Sequence, residues 1–217
     1  NELTTLSVRY ESNQKININA SVVIHLSGKA HDLTKIGNPQ EYYHANTELT
    51  RNIFDSFLAS EAKVFITISS VKAVTDKVSG KLTEDYKAKP KTHYGISKLK
   101  AEEYILSKEI PKCKKVYILR PCMIHGKGNK GNLNLLYQLV SKKIPWPLGS
   151  FDNLRSFCSI ENLLFVIKEF SERDDIPSGI YNIADDDSLS TNELIGLIAE
   201  SQNIKSRILN IPKKIIK

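Results

Sequence analysis

Apolar residues follow two rhythms along this chain. Short, nearly continuous runs at residues 21–26 (SVVIHL), 63–69 (KVFITIS) and 115–119 (KVYIL) predict strands buried on both faces, as a parallel sheet requires. Further strands are expected at 179–184 and around Phe157 and Cys158. Between them, apolar positions recur at helical spacing from Pro39 to about Ala59, from His93 to about Lys108, over 132–142 and over 161–172. Pro39 suits a first helical turn, and Ser190 or Thr191 suits the cap of a last helix with Glu193 near its start. Residues 73–92 are polar, with Gly80, Pro90 and many lysines, and read as a mobile flap; 144–149, with two prolines, reads as an extended turn. Strands alternating with helices predict an α/β protein whose parallel sheet carries helices on both faces.

Composition narrows the partners. At 217 residues the chain can bury one substantial core with a small second lobe. The net charge of +7 allows nucleic acid, an acidic membrane or small anions as partners. Its lysines are scattered over 77–91, 108–115 and 213–217, without interleaved aromatics or a recognisable nucleic-acid motif, which favours small anions. No apolar run is long enough to cross a membrane as a helix. Cys113, Cys122 and Cys158 form an odd, unclustered set, better suited to a reducing compartment than to disulfides. The five histidines show no metal-ligand spacing, so no metal is expected, and the acidic run 185–187 reads as a solvated turn.

The strongest chemical signal lies in His93–Glu103, HYGISKLKAEE. Tyr94 and Lys98 stand four apart on a predicted helix and so share one face. A cation close to a phenol favours the phenolate and makes tyrosine a workable general base. On spacing alone, an ordinary surface tyrosine and a lysine paired with Glu102 explain the pattern as well.

Other segments tip the balance. In order come VVIHLSG at Val22–Gly28, YYHAN at Tyr42–Asn46, FITISSV at Phe65–Val71, YGISK at Tyr94–Lys98, LRPCMIHG at Leu119–Gly126, PLGSFDNLRSF at Pro147–Phe157 and YNIA at Tyr181–Ala184. Together they resemble the extended short-chain dehydrogenase/reductase family, in its NAD-dependent epimerase/dehydratase branch. The likeness is greatest to nucleotide-sugar enzymes similar to UDP-glucose 4-epimerase and to bacterial UDP-N-acetylhexosamine 4-epimerases and 4-reductases. The resemblance implies a Rossmann-like, doubly wound fold: a dinucleotide-binding part over 1–120, and over 121–217 mainly a substrate lobe with segments returning to the sheet. It also implies NAD, with NADP possible, a UDP-sugar substrate, cytoplasmic location and a homodimer joined through the helices that start at Pro39 and His93. No nucleic-acid or membrane partner is implied.

Site residues follow from the same resemblance. Ser70, Tyr94 and Lys98 are the implied catalytic set, with Ser69 the alternative if the match slips by one. Leu26, Ser27, Gly28, Asn46, Ser69, Tyr94, Lys98 and Pro121 fall at cofactor positions. Ser70, Lys72, Asn132, Leu133 and Arg155 fall at substrate positions, with Arg155 as diphosphate anchor. Without the resemblance, Gly28 is a turn glycine, Asn46 a helix asparagine and Arg155 a surface cation beside Asp152. Val71 and Lys72 stand where 4,6-dehydratases carry an acidic pair, which disfavours water elimination. Met123 stands where many epimerases carry asparagine.

The family's glycine fingerprint for pyrophosphate is expected before the first strand, yet no glycine precedes Gly28, so the glycine-loop portion is expected to be missing from this chain. Gly126, Gly128 and Gly131 spell G-x-G-x-x-G, but residues intervening after Pro121 argue for a substrate loop instead. Three activities are open: C4 epimerase, 4-keto-sugar reductase, or a noncatalytic nucleotide-sugar or dinucleotide sensor on the same fold.

Overall fold

The computed structural model describes residues 2–11, 15–30, 38–128, 132–151 and 153–215. Four parallel strands form the main sheet in the order β1-β2-β3-β6: β1 (Val22–His25), β2 (Val64–Ile68), β3 (Lys115–Pro121) and β6 (Gly179–Ile183). Residues on β3 alternate between two faces, as strand geometry demands. Val116 and Ile118 join a core with Phe65 and with Ile53, Phe54 and Phe57 of α2 (Leu49–Leu58) and Ile105 of α3 (His93–Leu106). Tyr117 points the other way and meets Phe170 of α5 (Ile160–Glu172) edge-on at 4.7 Å. Helices thus cover both faces, as the strand and helix pattern predicts.

Three expectations need correction. β1 is not buried throughout: it lies at a sheet edge, only His25 is buried, and Ile24 is exposed. Among the described residues β1 pairs with β2 alone, and the apolar run by itself overstated its burial. The helix expected from Pro39 is interrupted: α1 (Gln40–Tyr42) passes into a π-helical stretch, Tyr43–Glu48, before α2. The 73–92 flap is tethered, because Asn182 on β6 donates its backbone N–H to Glu84 Oε1 at 2.8 Å and its side-chain amide to the Leu82 carbonyl at 3.2 Å.

The chain divides into two compact units, residues 1–122 with 165–183, and residues 123–164 with 184–217. In the second, β4 (Met123–His125), β5 (Leu154–Ser159) and β7 (Ser188–Ser190) form a small sheet, with β4 parallel and β7 antiparallel to β5. β4 was not expected, and it removes one argument made above: Gly126 and Gly128 directly follow a strand, although Gly131 lies outside the described residues. Both glycines have positive φ, and a Cβ at Gly126 would lie 2.6 Å from the Ile160 side chain. Helices α4 (Asn132–Ser141) and α6 (Thr191–Ser201) pack through Val140, Ile195 and Ala199. Ser190, rather than Thr191, caps α6 in a reciprocal pairing with Glu193.

Candidate active site

The carboxyl ends of β1 and β2 and the first turns of α3 meet in the first unit. Thr92 caps α3 by accepting from the Gly95 N–H at 3.2 Å, so Tyr94 sits in the first turn and Lys98 one turn later. Ser70 leaves the end of β2 in extended conformation, and its hydroxyl lies near enough to the Tyr94 side chain to favour the phenolate. The Ser70 hydroxyl also accepts from the Lys72 N–H at 3.2 Å, fixing its place at the head of a short 3-10 turn, Val71–Ala73. The Tyr42 ring stands edge-on to Tyr94 at 6.4 Å.

Lys98 behaves differently from the expectation drawn from spacing. Its ammonium donates to the Ile68 carbonyl at 2.8 Å, and burial brings its pKa down to about 8, while the charge of Glu102 acts upward. Tyr94 is held above the usual tyrosine range, first by burial and also by Tyr42; the group favouring the phenolate is Ser70. A desolvated phenol pays more for charge than a neighbouring serine returns, so the resting Tyr94 carries its proton.

Asn46 accounts for the π-helical stretch. Fully buried, it accepts from the Lys29 N–H at 2.8 Å and donates to the Lys29 carbonyl at 2.9 Å and to Ser97 Oγ at 2.9 Å. One side chain thereby locks the turn after β1 to the helix bearing Tyr94 and Lys98. Ser97 in turn donates to the Tyr94 carbonyl at 2.8 Å, and Thr47 donates to the Ser97 carbonyl at 2.8 Å. π-helical turns are frequent at functional sites because they re-aim a side chain within a helix. Behind Asn46, Thr50 gives its proton to the Asn46 carbonyl at 2.7 Å and therefore accepts from His25 Nε2 at 2.9 Å. Burial and the neighbouring Lys98 charge lower the His25 pKa to about 3, leaving the imidazole neutral.

The fit to a nicotinamide dinucleotide is tested at Gly28. A Cβ there would stand 2.8 Å from Asn46 Oδ1 and 3.0 Å from Lys98 Nζ, so only glycine leaves this floor open at the sheet end. Ser27, Gly28 and Lys29 also line a cavity of about 300 Å³, together with Arg9, Tyr10, Glu41, His44 and the apolar Val8, Ala45 and Leu49. Lys29 is paired with Glu41 there, so an open, mixed polar and apolar cleft lies at the strand end where this fold type takes its ligands.

The remaining expected positions divide. Leu26 is exposed at the end of β1, and Pro121 is buried at the end of β3, paired with Ile183. Ser69 turns its hydroxyl inward to Glu102, while Lys72 is exposed and reaches Asp76. Leu133 and Arg155 belong to the second unit, where Arg155 is an exposed residue of β5; Asn132 opens α4.

Two further features were missed. Glu102, read above as a surface partner of Lys98, is fully buried; it accepts from Arg120 Nε at 3.0 Å and is also paired with Arg120 Nη2 and Ser69. Its place one turn after Lys98 was the available signal. Asp185 is no solvated turn residue: it accepts from the Ser159 N–H at 3.0 Å, Asn162 Nδ2 at 2.7 Å and His125 Nε2 at 3.1 Å, and its pKa is held below the carboxylate range. Although burial raises it, those bonds prevail. No cluster suited to a metal occurs among the described residues.

With strand-end glycine, serine, tyrosine and lysine in place, the class is defined: residues 5–184 match the NAD dependent epimerase/dehydratase family, and the chain belongs to it. More particularly, it is 34% identical over 190 residues to UDP-glucose 4-epimerase of Vibrio cholerae, covering 83% of this chain and 57% of that protein. It is 30% identical over 174 residues to N-acetyl-alpha-D-glucosaminyl-diphospho-ditrans,octacis-undecaprenol 4-epimerase of Escherichia coli O157:H7, covering 79% and 52%. The chain therefore spans about half the length of the curated relatives it matches. Among solved structures, UDP-N-acetylglucosamine 4-epimerase from Bacillus cereus shares the fold, with a TM-score of 0.75 at 20% identity over 89% of this chain and 66% of that one.

Proposed function

We propose that the protein carrying this chain is a nucleotide-sugar 4-epimerase acting on a UDP-linked sugar with NAD, NADP being the alternative cofactor. The observation that carries the reading is the placing of Ser70 at the end of β2 near Tyr94 in the first turn of α3, with Lys98 one turn on, its ammonium at the Ile68 carbonyl and the Gly28 floor. Similarity to two 4-epimerases supports it.

In this reading Ser70 holds the sugar C4 hydroxyl against Tyr94, so that proton transfer takes place between pre-aligned oxygens. Once Tyr94 has released its resting proton to solvent, the phenolate takes the hydroxyl proton on oxidation and returns it on reduction. Lys98, one turn away, contributes the positive charge that makes the phenolate accessible once ligand has displaced water. Gly28, Asn46 and Lys98, with Leu26, Ser27, Ser69 and Pro121, are the residues that would hold the cofactor, which when bound would supply the hydride acceptor and donor. On the substrate side we assign Ser70, Lys72, Asn132, Leu133 and Arg155, with the exposed Arg155 guanidinium as the diphosphate anchor.

The same reading places the enzyme in the cytoplasm as a homodimer joined through the Pro39 and His93 helices. It assigns the product to surface polysaccharide synthesis, in keeping with the lipid-linked sugar named for the Escherichia coli relative. One observation favours a second reading. A tyrosine that rests protonated suits a 4-keto-sugar reductase, which needs a proton donor in one direction only.

Incubating the full-length protein with UDP-glucose or UDP-N-acetylglucosamine and NAD, and following the sugar by proton NMR, tests the assignment. Inversion at C4 establishes the epimerase. Turnover of a 4-keto sugar with reduced cofactor, without inversion, establishes the reductase instead. Binding without either reaction leaves the sensor.

A further inference from the structure

The first unit holds an ion pair that packing alone does not require. Glu102 and Arg120 have side chains 2% and 5% exposed, and the carboxylate also receives the Ser69 hydroxyl. Taking two charges out of water costs several kcal/mol per ion, and an apolar pair of similar size often serves a core as well. The pair is also imperfectly satisfied: Arg120 Nη1 is buried without a hydrogen-bond partner among the described residues. Such a pair has to be accounted for by what it holds.

It holds three strategic neighbours. Ser69 precedes Ser70 at the end of β2, Arg120 precedes Pro121 at the end of β3, and Glu102 lies one turn after Lys98 on α3. The Lys98 ammonium rests on the carbonyl of Ile68, the residue before Ser69. One carboxylate therefore ties together two strand ends and the helix that carries the tyrosine and lysine. Among the described residues, the groups that act electrostatically with Lys98 include Glu102 on α3 itself and neutral His25 on β1, while Arg120 on β3 is bonded to Glu102. Glu102 is the acidic member of that set.

We propose that Glu102, clamped by Arg120 and Ser69, is a positioning residue for the Tyr94–Lys98 pair: one turn after Lys98 on α3, its carboxylate fixes the ends of β2 and β3 against that helix and so holds the Ile68 carbonyl on which the Lys98 ammonium rests. The proposal rests on the reading of Tyr94 and Lys98 as the chemical pair. Removing the carboxylate lets burial act on Lys98 unopposed, so the lysine loses its proton at lower pH.

The test is a titration of Lys98 by NMR in protein labelled at lysine Cε, with Lys98→Met identifying the resonance. In Glu102→Gln the Lys98 midpoint is expected to fall by about one pH unit or more. In the full-length enzyme the alkaline limb of kcat should move down with it, while KM for UDP-glucose changes less than about twofold. Should the single variant fail to fold, the double variant Glu102→Met/Arg120→Met removes both charges, and a smaller fall in the same direction is expected. A Lys98 midpoint that stays at its original value in a folded variant overturns the proposal and leaves the ion pair a purely structural brace. Because the titration is read without turnover, a shifted midpoint in a protein that neither epimerises nor reduces UDP-sugars would reject the proposed function while retaining the link between Glu102 and Lys98.

Discussion

The two units place their polar side chains in opposite ways. In the first, Asn46, Ser69, Ser70, Ser97, Lys98, Glu102 and Arg120 are all buried and joined by hydrogen bonds around the strand ends. In the second, Arg155 stands exposed on β5. Groups that move protons need a fixed geometry before the ligand arrives, and folding supplies it; groups that grip a charged ligand can stay solvated and be ordered by it.

That contrast sets an order of expected effects. Tyr94→Phe removes the phenol oxygen proposed to carry the proton next to that buried set and leaves the ring packing intact. Turnover should fall on the order of a thousandfold with little change in melting temperature, measured by NMR of the sugar and by thermal unfolding. Retained turnover would dissolve the distinction between the two regions.

Lys98→Met sharpens it through stability. The Lys98 pKa is near 8 folded, against about 10.5 in an unfolded chain, so the unfolded state binds more protons between those values. The cost of burying the ammonium is full below about pH 8 and vanishes as pH rises past 10.5. The variant, though inactive, should be more stable than the wild type at pH 7 by on the order of tenfold in the folding equilibrium, after losing the bond to Ile68. The gap should narrow steadily toward pH 10 in urea titrations.

Arg155→Ala probes the solvated side. Losing a charge-assisted contact to a diphosphate should raise KM for UDP-glucose about tenfold, with kcat and stability nearly unchanged, because no packing depends on an exposed guanidinium. A fall in kcat as large as that of Tyr94→Phe would show that Arg155 serves the chemistry instead of the grip.

Much of this architecture was legible in the sequence. The strand runs at Val64–Ile68 and Lys115–Pro121, the helix from His93 and the four-residue spacing of Tyr94 and Lys98 all depend on local periodicity, and all are present. What escaped depends on contacts between distant residues. Nothing around Asn46 announces a π-helical turn, and the backbone it bonds, that of Lys29, lies seventeen residues earlier. The partner of Glu102 is eighteen residues later, so the carboxylate looked like a surface companion of Lys98. β4 and β7 are three residues long, too short for any alternation to show. The protonation of Tyr94 is set by burial, which spacing does not encode.

The tether between the 73–92 loop and β6 has a consequence apart from the active site. β6 ends the β1-β2-β3-β6 order and bonds β3 on one side, so its outward amides would offer a template for a stray strand from another molecule. Glu84 occupies the Asn182 amide and brings a negative charge to that rim. The loop thus also covers part of that rim, and shortening it would uncover the Asn182 amide.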